Sequence, residues 1–148
     1  MWSKFAWAFG ILLASLALGG GLWGWMTVVA GDQQPQFQSI SVDPPQLRFA
    51  GGPVTVRAQV TDDTGLRQVS GLVLRGDAPW VQLPARTLAE SPRDFTYVAQ
   101  FQAPGNVEPG GVAMDYSIRL VAVDRGRQEA VGQVGFQVLP PAPPPAPP

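Results

Sequence analysis

Apolar residues follow two different rhythms along the chain. From residue 5 to residue 29 no ionisable side chain interrupts a run of twenty-five positions, mostly Leu, Ala, Gly, Phe, Ile and Trp. As an α-helix rising about 1.5 Å per residue, this run is roughly 37 Å long and crosses a hydrocarbon layer of about 30 Å with some tilt. From residue 37 onward the rhythm changes to alternation with period two, punctuated by Gly, Pro and Asp, which predicts short antiparallel strands.

The clearest strand is 54–60, where Val54, Val56, Ala58 and Val60 face one way and Thr55, Arg57 and Gln59 the other. Before it, 37–49 reads as an edge strand interrupted by a bend at Pro44-Pro45, because proline supplies no ladder N–H. After it, a turn at Asp62-Asp63-Thr64-Gly65 leads into 66–74, with Val69, Gly71 and Val73 on one face. A short edge strand is expected at 80–83, a loop over 84–94, and further strands at 95–101, 114–123 and 130–139. These make seven strands over 37–139 with no helical period between them. Two packed antiparallel sheets bury such one-faced strands economically, and a closed small barrel is the alternative.

Ends and flanks refine the outline. Lys4 precedes the apolar run and the next ionisable side chain is Asp32, which favours a cytoplasmic N-terminus with the remainder outside. Trp2 and Trp7 at one end, and Trp23 and Trp25 at the other, suit the two headgroup belts. A retained anchor over 1–30 is the reading these features support; small residues at 28–31 also fit cleavage of a leader. Gly10 and Ala14 fall on one helix face and Gly20 and Gly24 are spaced for close backbone approach, making them candidate contacts with a second helix. Residues 31–36 form a short polar tether. Residues 140–148 are seven prolines and two alanines, a tail for extended polyproline II geometry that is solvated or docks on a neighbour.

The stretches VTVRAQVTDDTGLRQVSGLVL (54–74) and MDYSIRLVAVDRGRQEAVGQVGFQVL (114–139) resemble the second-third and sixth-seventh strand pairs of bacterial immunoglobulin-like or fibronectin type III-like domains. In those domains a valine-rich strand ends in a D-x-x-G turn; here the turns are Asp62-Asp63-Thr64-Gly65 and Asp124-Arg125-Gly126. The resemblance implies an immunoglobulin-like sandwich and gives Tyr116 the place of the tyrosine that anchors the adjoining corner. Its motifs are structural and imply no chemistry.

Composition removes most catalytic options. There is no Cys and no His, so disulfides, thiolates, imidazole bases and Ser-His triads are absent together. Ten Lys and Arg against eleven Asp and Glu give a net charge of -1, without the basic stripe that nucleic acid requires. Asp62, Asp63 and Asp124 could gather at one end of the sandwich around Ca²⁺, but capping their own turns is the simpler role. No cofactor is expected. Trp80, after Pro79 in a short strand, is either a satellite of the core or an exposed anchor for a partner. The expected protein is a single-pass membrane protein of a bacterial cytoplasmic membrane with its β-domain outside. Its partners would be lipid and other integral membrane subunits, and its role a non-catalytic accessory or stabilising one; a surface or periplasmic binding module, or a transient assembly factor, is the alternative.

Overall fold

The computed structural model describes residues 32–107, 111–143 and 145. The expected span at 5–29, with Gly10, Ala14, Gly20 and Gly24, lies outside these residues, and among the described ones no helix is long and apolar enough to cross a membrane. The unit Gln34–Pro148 contains every strand described: β1 (Gln36–Asp43), β2 (Gln46–Leu47), β3 (Gly52–Thr61), β4 (Leu66–Arg75), β5 (Ala78–Thr87), β6 (Asp94–Ala103), β7 (Met114–Asp124) and β8 (Glu129–Val138).

The strands form two sheets, one ordered β1-β3-β6 and the other β2-β8-β7-β4-β5, every pairing antiparallel except β2 with β8. Their apolar faces share one core. Val54, Val56, Ala58 and Val60 of β3 meet Tyr97 and Ala99 of β6 from one side, and Val69, Val73, Tyr116, Ile118, Leu120, Phe136 and Val138 from the other. The alternation in 54–60, 95–101 and 114–123 therefore corresponds to inward and outward positions, as period two requires.

Three local expectations change. The edge segment 37–49 is not one strand: Pro44-Pro45 ends the pairing of β1 with β3, and the chain changes sheet to place Gln46 and Leu47 beside β8. Eight strands are thus present among the described residues where seven were expected. The loop expected from residue 84 begins later, because β5 runs on to Thr87, opposite Gln68 of β4. Along β5 only Leu83 is buried, so an edge strand held by backbone pairing carries little apolar periodicity to reveal its length.

Gly71 marks a close approach. A methyl group there would stand 2.8 Å from Leu120 Cδ2 and 2.9 Å from Leu83 Cδ1, so these leucines fill the space a side chain would take. Gly71→Val is expected to overpack this contact and destabilise the domain by about 1–3 kcal/mol, measured as a lower urea midpoint for the chain in detergent solution.

Register defines the two ends of the sandwich. Gln36 stands opposite Thr61, so the chain enters at the end carrying the turns 62–65, 88–93 and 125–128. Met114 stands opposite Val138, so residues 139–143 leave from the other end, which carries residues 48–51, 76–77, 104–107 and 111–113.

Candidate functional site

The N-terminal end is polar and tied by its own backbone. Asp62 Oδ2 accepts hydrogen bonds from Thr64 N at 3.0 Å, from Thr64 Oγ1 at 3.0 Å and from Gly65 N at 2.5 Å. Asp124 Oδ1 accepts from Gln128 N at 2.7 Å. The turns are joined where Arg125 N donates to Gly65 O at 3.1 Å, and the loop between β5 and β6 joins them where Leu66 N donates to Pro92 O and Asp62 N to Arg93 O. Arg125 Nε also donates to Ser91 Oγ at 2.8 Å. Both aspartates are buried and use one oxygen on their own turn, the capping role expected from sequence. The second oxygens, Asp62 Oδ1 and Asp124 Oδ2, are buried without a hydrogen-bond partner. Among the described residues no group of three or more His, Cys, Asp or Glu is placed to hold a metal ion.

The tail end has the opposite character, and Asn106 organises it. Its side chain is only 2% exposed, and Nδ2 donates to Val112 O at 2.7 Å and to Val138 O at 3.0 Å. Its backbone N donates to Phe49 O at 2.7 Å, and Leu139 N donates to Leu47 O at 2.8 Å. Its side-chain amide thus fastens the β6–β7 connection to the end of β8, and its backbone N–H fastens the β2–β3 loop. Around it these segments present Phe49, Val107, Val112 and Leu139 to solvent, Val107 at 90% exposure. Sequence reading passed over this residue, because a single Asn in a turn-rich stretch looks like any other loop polar group.

Trp80 lies at the same end, on β5. It is 38% exposed, with its ring 5.5 Å from Tyr116 and 6.4 Å from Phe101, edge-on to the latter. Tyr116 stacks on Phe136 at 5.0 Å, and Phe136 lies 5.7 Å from Phe101. Trp80 is therefore half of each alternative offered by the sequence: its ring closes the core between the sheets while part of it stays in solvent. Five of the seven large exposed apolar side chains among the described residues, Phe49, Trp80, Val107, Val112 and Leu139, belong to this end, so the apolar surface is concentrated there.

No family model matches the chain, and no curated protein matches it in sequence. Among solved structures it is similar to a superoxide reductase (neelaredoxin) from Ignicoccus hospitalis, at 12% identity over 76% of this chain and 85% of that one, with a TM-score of 0.45. It is similar also to CopC from Methylosinus trichosporium OB3b, at 18% identity over 72% and 95% of the two chains, TM-score 0.42. A third is the periplasmic chaperone SfaE, at 8% identity over 70% of this chain and 58% of that one, TM-score 0.48. At such identities, function has to be read from the chain's own residues.

Between the ends, Tyr97 of β6 crosses the sandwich. Its hydroxyl donates to Pro84 O of β5 at 2.8 Å, a hydrogen bond that joins the two sheets. Tyr116, given the anchoring role by resemblance, contributes its ring to the aromatic stack. Burial raises the Tyr97 phenol above its ordinary value of 10.0, with the Arg86 guanidinium pulling partly the other way. The raised folded value favours the neutral phenol, so its contribution is full below pH 10 and is lost as pH climbs from there through the folded value. Tyr97→Phe is expected to cost about 1 kcal/mol at neutral pH and to flatten the alkaline fall in stability. Urea midpoints measured from pH 7 to pH 11 check both.

Proposed function

We propose that this chain is a non-catalytic accessory or stabilising subunit of a larger bacterial membrane complex, anchored by residues 5–29 and acting through contacts of an immunoglobulin-like domain on the periplasmic side. The strand arrangement supports the domain class: β3 with β6 in one sheet, and β4, β7 and β8 together in the other, match the B–E and C–F–G groupings of immunoglobulin-like sandwiches. The observation that carries the functional reading is the apolar tail end, where Phe49, Val107, Val112 and Leu139 are exposed around the buried Asn106. Exposed apolar side chains gathered at one place are a feature of protein–protein contact sites. Residues 140–143, the start of the proline-rich stretch, follow from the same end.

A photo-crosslinking residue at Val107, introduced into the full chain in its native membrane, tests the assignment. One integral membrane protein should be captured there and not from Arg119, which is exposed on the outer face of β7. Extraction as a free monomer in gentle detergent, with no captured protein, would remove the reading. Mass spectrometry of the intact N-terminal peptide distinguishes the retained anchor from a cleaved leader.

The exposure of Trp80 favours a second reading, a surface or periplasmic module that binds protein or carbohydrate through this ring. Loss of ligand binding in Trp80→Ala, with membrane association unchanged, would select it.

A further inference from the structure

The four outer strands of the two sheets are not equally protected against pairing. β5 carries Pro79, Pro84 and Arg86 and has two register shifts against β4. β1 is bulged between Phe37 and Ser39 and stops at Pro44-Pro45, and β2 is two residues long. Prolines, charges, bulges and brevity are the usual devices that keep sheet edges from pairing with other chains. β6 has only one of them, the charge of Asp94 at its first residue. It runs ten residues in unbroken register with β3, contains no proline, and is uncharged from residue 95 to residue 103. Among the described residues, no strand lies beside its other edge in the sheet.

The pattern along β6 also fits its own copy. Asp94, Thr96, Val98, Gln100 and Gln102 are exposed, with Val98 at 36%, while Tyr97, Ala99 and Ala103 are buried and Phe95 and Phe101 are half-buried. An antiparallel copy related by a two-fold axis at Val98 brings Val98 against Val98, Thr96 against Gln100, and Asp94 against Gln102. No like charges oppose each other, and the one carboxylate meets an amide donor. On the inner side Phe95 comes opposite Phe101 of the copy, covering the two half-buried rings. The outward groups are held by β3, since Gln100 Nε2 donates to Thr55 Oγ1 at 3.1 Å and Gln59 Nε2 to Asp94 Oδ2 at 3.4 Å.

We infer that β6 is a self-association edge: two copies of this chain pair β6 to β6 about a two-fold at Val98, joining their three-stranded sheets into one six-stranded sheet. The contact is isologous and closes at two copies. One strand pair is small beside a standard protein interface, so the dimer is concentration-dependent.

The absence of cysteine makes the test direct. Residues opposite each other in an antiparallel pair have Cα atoms about 4.5–5.5 Å apart, within disulfide reach. In the full chain in detergent, mild oxidation of Val98→Cys should give at least tenfold more covalent homodimer than Val131→Cys, another exposed valine on β8. Val98→Lys, which sets two cations against each other at the axis, should shift light scattering to the monomer while circular dichroism keeps the β signature. Equal yields from the two cysteine variants, a Val98→Cys adduct with a different protein, or a dimer that survives Val98→Lys would each overturn the assignment.

Discussion

Gly65→Ala is expected to destabilise the sandwich by about 3 kcal/mol or more. Two costs add. Gly65 sits at φ 113°, a backbone conformation that side-chain-bearing residues adopt only at about 1–3 kcal/mol. Its Cβ would also fall on the Ser91 carbonyl, which is backbone and cannot rotate aside. Relief would require moving the β3–β4 turn away from the β5–β6 loop, and with it the Leu66 N to Pro92 O and Arg125 N to Gly65 O hydrogen bonds. Gly76→Ala separates the two costs, because Gly76 has φ 61° with nothing near the added carbon. It should lose only about 1 kcal/mol. Paired urea titrations give the comparison; equal losses would mean that the Ser91 contact carries no weight.

Asn106→Ala should cost about 2–4 kcal/mol, since it removes two side-chain hydrogen bonds and leaves the Val138 carbonyl without this donor in a buried position. Asn106→Asp should cost more, although it is nearly the same shape. A carboxylate has no N–H to give, and its negative oxygens would face the Val112 and Val138 carbonyls from a site that is 2% exposed. The disturbance should be polarised along the molecule. Amide exchange at Leu139 and Gly51, whose N–H groups donate to Leu47 O and Arg48 O, should accelerate before exchange in β3 changes. If the proposed contact surface depends on this amide, crosslinking from Val107 should fall in parallel.

The two ends of the sandwich differ in how they are held, and that difference shapes the functional proposal. The N-terminal end is closed by hydrogen bonds between turns, with its two buried aspartates turned to local backbone donors. The tail end is fastened by Asn106, by backbone hydrogen bonds and by an aromatic stack, and exposes Phe49, Val107, Val112 and Leu139. A surface whose loops are ordered by a buried group beneath them loses less entropy on meeting a partner than one made of free loops.

Much of the β-domain is legible from residue order because one-faced burial writes itself into alternation. Val54 to Val60, Phe95 to Phe101 and Tyr116 to Ala122 have their core faces assigned by period two alone, and Asp62-Asp63-Thr64-Gly65 shows its turn through the one residue type that accepts φ 113° cheaply. The second turn shows where such reading stops. Asp124-Arg125-Gly126 looks like the same device shortened, yet in the folded chain Arg127 takes the positive φ, at 69°, because closure is set by Asp124 bonding to Gln128 rather than by the glycine. Residue order alone determined an all-β domain, its inward positions and the absence of thiol and imidazole groups. Tertiary structure decided the rest: the sheet change at Pro44-Pro45, the length of β5, the gathering of Phe49, Val107, Val112 and Leu139 around Asn106, the partial exposure of Trp80 and the thinly protected edge of β6. Each depends on contacts between residues far apart in the chain, and periodicity records only which way a side chain points, not which distant residue it meets.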